Sequence, residues 1–212
     1  MLTPPISAAS AKSSKDTTSG ASRSWNCLAR TDTGTGLRTV RVGTHALKAT
    51  SRTKLWSRLS QHKGQRGTGG GNHRGSIFRL IVGASLIRRY SYNFPTWGKG
   101  NTAKADVRRC ELKLEQEVSS FIGDMSFLWL SIDDDAGPTS LRGHIERNAI
   151  ALLSNYGKSP LDPPSVTWLG RYSDREKVRD SGLWNSNHVG EMYDPAFLCT
   201  LDDLVSTIER HR

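Results

Sequence analysis

The fold is decided by the stretch from Met125 to Tyr156, which reads MSFLWLSIDDDAGPTSLRGHIERNAIALLSNY. Its first eight residues form a dense apolar run that predicts a strand over 125–132. Three aspartates, a glycine and a proline follow, and these residue types end strands because they favour turns. Ser140 is a typical N-cap. The apolar residues after it recur at helical spacing, at Leu141, Ile145, Ala149, Leu152 and Leu153. The stretch therefore predicts a strand, a turn and a helix that ends near Asn155.

Outside this stretch, the periodicity predicts one more strand and four more helices. Val40 and Val42 alternate with polar residues and indicate a short strand over 37–43. Helices are expected at residues 54–63, 76–89, 107–122 and 201–210. Residues 165–200 look irregular, with Trp168, Trp184 and Phe197 as expected anchors in the core. We predict an α/β (α+β) fold with a small three-stranded-type sheet flanked by helices.

The composition predicts three regions along the chain. Residues 1–24 are rich in Ser, Thr, Ala and Lys and have almost no large apolar side chains, so they cannot offset the entropy of ordering. We expect a disordered, low-complexity N-terminal segment over 1–36, for which a transit peptide is the alternative interpretation. We place the main domain at 37–156 and a C-terminal extension, packed on that domain, at 157–212.

The charge is divided unevenly. Residues 1–110 contain 20 Lys/Arg and 3 Asp/Glu, a net charge of +17, whereas residues 111–212 have a net charge of −7. A basic half indicates a polyanionic partner, which is either nucleic acid or an anionic membrane surface. A solubilising basic tail is the simpler alternative. We favour nucleic acid as the partner.

Cysteines and hydropathy favour a cytoplasmic protein without a membrane anchor. Cys27, Cys110 and Cys199 are widely spaced and form no CxxC pair, which argues against a thiolate zinc site. An odd number of cysteines without a disulfide framework fits a reducing compartment. No apolar run approaches the roughly 18 residues of a membrane span, and the N-terminus lacks the apolar core of a secretory signal.

Two segments carry residues suited to phosphate chemistry. Arg58 and His62 are four residues apart, so they share one face of the predicted helix. An arginine can neutralise charge that develops on phosphoryl oxygens, and a neighbouring histidine can move a proton. His73 follows three glycines that would let the backbone approach a phosphate, although the loop lacks the ending of a Walker motif. A solvated helix face and a flexible loop are the simpler alternatives for these two segments.

Glu146 lies in an otherwise apolar helix. A lone carboxylate can hold Mg²⁺ when water and substrate phosphate supply the remaining ligands. The alternative is an exposed glutamate paired with Arg142 or Arg147. Asn155 is expected either to cap the helix or to orient a phosphate. We interpret the aspartates at 133–135 as turn residues rather than as a metal site.

The order of these residues resembles the GIY-YIG nuclease superfamily. A strand ending in Val-Gly-Thr is followed by a helix with Arg-x3-His, a loop histidine, a helix glutamate and a late asparagine. Arg41-Val-Gly43 stands where the family's Tyr-Ile-Gly motif is expected. Residues 55–79 and 141–156 also resemble an uncharacterised bacterial branch of the superfamily. The first motif, Gly-Ile-Tyr, is missing, and residues 20–30 show neither a strand pattern nor a tyrosine.

The resemblance implies a Mg²⁺-dependent endonuclease, with Mn²⁺ as an alternative metal. Glu146 would bind the metal, and Arg58, His62 and His73 would complete the catalytic set. The expected substrate-binding residues are Arg41, Asn72, Arg74 and Asn155, with Asn148 as the alternative to Asn155. DNA is the first expectation for the substrate.

Two other functions stay open at this point. The absence of the motif tyrosines favours a catalytically impaired domain that binds nucleic acid without cutting it. A structural or partner-binding protein with a basic tail is the third hypothesis.

Overall fold

The computed structural model describes residues 24–31, 39–44, 55–65, 70–132, 134–135, 137, 139–160 and 162–210. These residues are mostly helical and contain three strands, six α-helices and two 3₁₀ helices. In chain order they are β1 (Ser24–Thr31), β2 (Thr39–Thr44), α1 (Leu55–Lys63), the 3₁₀ helix His73–Gly75, α2 (Ile77–Tyr90), α3 (Ala105–Gly123), β3 (Ser126–Ile132), α4 (Leu141–Leu153), the 3₁₀ helix Leu169–Tyr172, α5 (Glu176–Ser181) and α6 (Ala196–Arg210).

The three strands pair antiparallel in the order β2-β1-β3. Leu28 lies at the centre of this arrangement, opposite Val42 on one side and Leu128 on the other. The expectation that residues 20–30 contain no strand is therefore wrong, and so is the expected disorder for 24–31. Backbone pairing on both edges outweighs a weak local pattern, because strand formation depends more on its neighbours than on intrinsic preference. The disorder expected for residues 1–23 and 32–36 falls outside the described residues.

The main core lies between α2 and α3 and is closed by residues from the C-terminal part of the chain. Trp184 is fully buried there, with Trp168 at an edge-to-face centroid distance of 5.4 Å. Phe197 is buried in a separate cluster. The expected anchors Trp168, Trp184 and Phe197 are thus confirmed as core residues. The 3₁₀ helix Leu169–Tyr172 packs against α2, so residues beyond 156 contribute to the same core.

Helix α4 has apolar contacts on two sides. Ile145 packs with Ile132 of β3 and Phe197 of α6. Ile150 packs with Leu183 and Val189. The helix also contacts β1 and β2. This packing holds α4 between the strands and the C-terminal part of the chain.

The region predicted to be irregular contains ordered helix. Helix α5 is followed by Gly182 as its C-cap, whose φ of +74° is a left-handed conformation that glycine adopts without a steric cost. Helix α6 begins at Ala196, five residues before the predicted start. The reason is local, since Asp194 Oδ1 accepts the N–H of Ala196 at 2.9 Å and Pro195 fits the start of a helix.

In the part of the chain that the structure describes, we find no helix with the length and hydrophobicity required to traverse a bilayer.

Candidate functional site

Helix α1 carries the first two predicted site residues. Arg58 is exposed, and its Nη1 donates to Gln61 Oε1 at 2.5 Å. His62 is half-buried, with its Nδ1 hydrogen-bonded to Ser76 Oγ at 2.6 Å. Its ring lies edge-on to Phe78 at a centroid distance of 6.0 Å. The helix thus presents an exposed guanidinium one turn from a histidine that is anchored to the start of α2.

His73 is buried and has protein partners on both ring nitrogens. Its Nδ1 lies 2.9 Å from Glu115 Oε1, and its Nε2 accepts the N–H of Gly98 at 3.2 Å. The imidazole stacks on Trp97 with centroids 3.8 Å apart. These contacts fix the 3₁₀ helix against α3. They leave the imidazole enclosed, which disfavours the predicted catalytic role and favours a structural one.

The neighbours of His73 are also held locally. Asn72 is exposed, and its Oδ1 accepts the N–H of Arg74 at 3.0 Å, which caps the 3₁₀ helix. The Arg74 guanidinium makes a two-pronged ion pair with Glu111, with N–O distances of 2.6 and 2.9 Å. Thr96 Oγ1 donates to the same carboxylate at 2.8 Å. The guanidinium predicted to bind substrate is therefore engaged by Glu111, whereas the Asn72 side chain stays at the surface.

Arg79 and Glu115 form the centre of this region and were missed by the sequence reasoning. Arg79 is fully buried, and its Nε and Nη2 donate to Glu115 Oε2 at 3.0 and 2.5 Å. Its Nη1 donates to the backbone oxygen of His62 at 3.0 Å. The available signal was the position of Arg79 within the apolar run 77–82, where a charged side chain needs a buried partner.

We call the set of ionisable residues with buried side chains around this pair the ionic network. It consists of His73, Arg74, Arg79, Glu111 and Glu115.

Gly70 and Gly71, which precede His73, lie in close contact with other parts of the chain. A Cβ at Gly71 would overlap the Arg79 guanidinium. One at Gly70, where φ is +64°, would come within 2.6 Å of the backbone of Glu115 in α3. Glycine at these two positions therefore lets the loop backbone approach the ionic network closely, and the predicted phosphate contact stays a prediction.

Both network glutamates have pKa values below the ordinary 4.5. Burial alone would raise the pKa of Glu111, but hydrogen bonds from Arg74 and Thr96 outweigh it. Burial likewise acts to raise the pKa of Glu115, and the hydrogen bonds from His73 and Arg79 prevail. Both carboxylates are therefore held ionised by their partners.

Glu146 lies in the middle of α4 and is half-exposed. It is one turn from Arg142 and one turn from Ile150, both of which are buried. Residues four apart share a helix face, so Glu146 lies on a largely inward side of α4. Two neighbouring arginines of α4 form ion pairs with other carboxylates, Arg142 with Asp134 and Arg147 with Glu191.

The acidic turn before α4 fits the structural interpretation. Asp134 forms an ion pair with buried Arg142 and accepts its backbone N–H at 3.2 Å. The carboxylate thus ties the turn to the first turn of α4, where negative charge is favourable. Asp133 lies outside the described residues.

The two candidate asparagines have structural contacts. Asn155 does not cap α4, because the C-cap is Ser154. The Nδ2 of Asn155 donates to the backbone oxygens of Asp162 and Ser181 at 3.2 and 3.3 Å. Asn148 Oδ1 accepts the N–H of Asp194 at 2.7 Å. Both side chains hold loops onto α4, which disfavours the phosphate-orienting role.

The predicted residues fall into two groups. Arg58, His62 and the segment 72–74 lie together, since α1 meets the 3₁₀ helix through Ser76 and the ionic network. Glu146 and Asn155 belong to α4 and the loop after it. Arg41 pairs with Ala29 through the backbone of β2, and its side chain lies outside the described residues.

The described residues contain no group of three or more His, Cys, Asp or Glu side chains arranged to hold a metal ion. A single carboxylate such as Glu146 still suits Mg²⁺, which prefers oxygen ligands and commonly retains several waters. The donor chemistry therefore fits a magnesium site with one protein ligand.

The comparison with protein families gives a match over most of the chain. The profile of the GIY-YIG domain matches residues 26–211. It begins inside β1 and runs through α6, beyond the domain limits predicted at 37 and 156. No curated protein and no solved structure gives a significant match. The chain therefore belongs to the GIY-YIG domain family, a nuclease-type family.

Proposed function

We propose that this protein is a metal-dependent endonuclease that cleaves phosphodiester bonds in nucleic acid, with DNA as the first substrate to test. The observation that carries the proposal is the half-exposed carboxylate of Glu146 on the inward side of α4, in a GIY-YIG domain. The helix lies against β1 and β2, which supports a site bordered by the strands. We take the domain as residues 24–210, with β1 and β2 as its motif strands.

Glu146 would hold Mg²⁺ or Mn²⁺. The bound metal would supply charge stabilisation at the scissile phosphate and at the departing oxygen. A half-buried carboxylate suits this task, because it is accessible to a hydrated ion and yet partly removed from water.

Arg58 would neutralise negative charge on the phosphoryl oxygens. Its guanidinium is exposed and bound to the neutral Gln61, so a phosphate could engage it without breaking an ion pair with that neighbour. Arg74, Arg79 and Arg142 differ in this respect, since each is paired with a carboxylate.

His62 is the better candidate of the two histidines for moving a proton or orienting water. It is half-exposed, whereas His73 is 2% exposed and enclosed by Glu115, Gly98 and Trp97. The hydrogen bond to Ser76 fixes one ring nitrogen and sets the ring orientation. We therefore assign His73 to positioning the loop next to α1.

The test is plasmid nicking by the purified chain with Mg²⁺ or Mn²⁺. Glu146→Gln keeps the size of the side chain and removes the charge, so the nicking rate should fall by about 100-fold or more. Glu176→Gln, at an exposed position of α5, is the matched control and should nick at the parent rate. Equal nicking by the parent and Glu146→Gln would refute the assignment of Glu146.

A second candidate function is a domain that binds nucleic acid without cutting it. The observation in its favour is that β1 and β2 contain no tyrosine, although tyrosines mark both motif strands of the family. Binding should then weaken with salt, and each lost phosphate contact should lower the slope of log K against log salt by roughly 0.9. Salt-dependent binding that survives Glu146→Gln, with no cleavage by the parent, would select this function.

A further inference from the structure

Three exposed tyrosines gather at the C-terminal end of α2. Tyr90, Tyr92 and Tyr172 are 51%, 36% and 42% exposed. Tyr90 and Tyr92 stack with centroids 5.5 Å apart, and the Arg89 guanidinium lies 5.3 Å from the Tyr90 ring and 5.8 Å from the Tyr172 ring. We call these three rings with Arg89 the tyrosine platform. The platform contains three of the five tyrosines of the chain. Because their rings are exposed, packing in the core does not account for their presence there.

The two parts of the platform are fixed to each other. Ser91 ends α2 with a φ of +54°, and the N–H of Tyr92 donates to the oxygen of Ile87 at 3.0 Å. Arg88 Nη1 donates to the oxygen of Ser173 at 2.9 Å, next to Tyr172. The rings are therefore held in place before any ligand arrives, which lowers the entropy lost on binding.

The charge around the rings suits a nucleic acid more than an apolar peptide. Arg88, Arg89 and Arg171 are exposed beside them. Burial and the neighbouring Glu117 carboxylate raise the pKa of the Tyr92 hydroxyl, so the charge of Glu117 lies at one side of the platform. Aromatic rings interleaved with arginines are the arrangement that binds unpaired bases, because each ring offers a stacking face and each guanidinium a phosphate contact.

We propose that the tyrosine platform binds the unpaired bases of a single-stranded nucleic acid segment; this inference deepens the proposed function and rests on it. Helix α2 has 14 residues, so the platform lies roughly 20 Å from the end of α2 that contacts His62. That distance corresponds to about six nucleotide steps at the spacing of a duplex strand. The substrate class is then a nucleic acid with an unpaired segment beside the site of cleavage.

The test measures fluorescence anisotropy of a labelled 12-nucleotide oligothymidine and of a duplex of the same length, with the full chain in EDTA so that no cleavage occurs. Tyr90→Ala/Tyr172→Ala should weaken binding of the single strand by about tenfold or more and change binding of the duplex much less. Tyr90→Phe/Tyr172→Phe keeps both rings and should bind like the parent. Met192→Ala, at an exposed apolar residue, is a control for loss of apolar surface.

Any of four results would overturn the proposal. The Ala pair binds like the parent, the Ala and Phe pairs lose equal affinity, the Ala pair loses equal affinity for single strand and duplex, or the parent does not bind at all. A urea midpoint equal to that of the parent shows that the Ala pair is folded, and the exposed rings predict this result. If the parent does not nick DNA but single-strand binding is weakened in the Ala pair, the nuclease proposal fails and this inference stands. If the parent nicks DNA and the Ala pair binds the single strand like the parent, this inference fails and the nuclease proposal stands.

Discussion

The ionic network and the two proposed site residues Arg58 and Glu146 contain the same side-chain types in different surroundings. In the network, every charge lies in the protein and meets an opposite charge, as Arg79 meets Glu115. Arg58 is exposed and Glu146 half-exposed, and both are accessible to a hydrated ligand. Residue type and order indicate the family, whereas burial and charged partners distinguish the structural charges of the network from Arg58 and Glu146, for which we propose roles in catalysis.

The largest expected effect is loss of the network's central carboxylate. Glu115→Ala leaves Arg79 buried without its partner, and such losses cost about 3–5 kcal/mol of unfolding free energy. Urea denaturation measures this change. Glu176→Ala, at an exposed glutamate, should change the free energy by less than about 0.5 kcal/mol. A small loss at Glu115 would show that the network does not stabilise the fold.

Arg58→Ala should give the opposite pattern. We expect the nicking rate to fall by about 100-fold, which corresponds to about 2.7 kcal/mol of barrier, with the urea midpoint unchanged. Arg109→Ala removes an exposed arginine from α3 and is the matched control. A shifted midpoint with an unchanged rate per folded molecule would place Arg58 among the structural residues.

Acid should weaken the fold through the network. The pKa values of Glu111 and Glu115 are lower in the folded chain than the ordinary 4.5, so their ionised forms stabilise the folded state above that pH. This stability is lost as pH falls below 4.5 through the lowered values. Unfolding free energy measured from pH 6 down to pH 3 should therefore decrease, and Glu111→Gln should flatten part of the decrease. If the unfolding free energy of Glu111→Gln fell with pH in the same way as that of the parent, Glu111 would not contribute to the acid sensitivity.

The smallest expected effects come from removing the serine that caps α2 and the serine that caps α4. Ser76 Oγ accepts the N–H of Arg79 at the start of α2, and Ser140 Oγ accepts that of Gly143 at the start of α4. Each Ser→Ala change should cost about 1 kcal/mol of unfolding free energy. Ser76→Ala should also lower the nicking rate, because Ser76 orients His62, whereas Ser140→Ala should leave it unchanged. Equal rates in both variants would exclude that orienting role.

Much of the helical architecture could be predicted because its apolar residues recur at helical spacing. Ser140 was correctly predicted to cap α4, and the strand around Val40 and Val42 was found at Thr39–Thr44. Strand β1 could not be predicted from its own residues, because it pairs on one side with β3, which is distant in the sequence. Helix α5 is only six residues long and leaves too little periodicity to detect.

The site was harder to predict than the fold, because an isolated charged residue carries no information about its partner. His73 and Arg74 look reactive in a glycine-rich loop, yet their partners Glu115 and Glu111 lie 42 and 37 residues further along the chain. Arg79 is the exception, because its position within an apolar run indicates a buried arginine that needs a carboxylate partner. The Tyr172 part of the tyrosine platform is likewise brought to Tyr90 only by the packing of the second 3₁₀ helix on α2.

We propose that His73 supports the fold while Arg58 and Glu146 act on the substrate. The most direct measurement is the nicking rate per folded molecule of His73→Ala, with the folded fraction taken from its urea curve. We predict a lower urea midpoint, because Glu115 and Gly98 lose a buried partner, and a rate per folded molecule within about threefold of the parent. An unchanged midpoint with a rate reduced by about 100-fold would contradict the account and make His73 a catalytic residue.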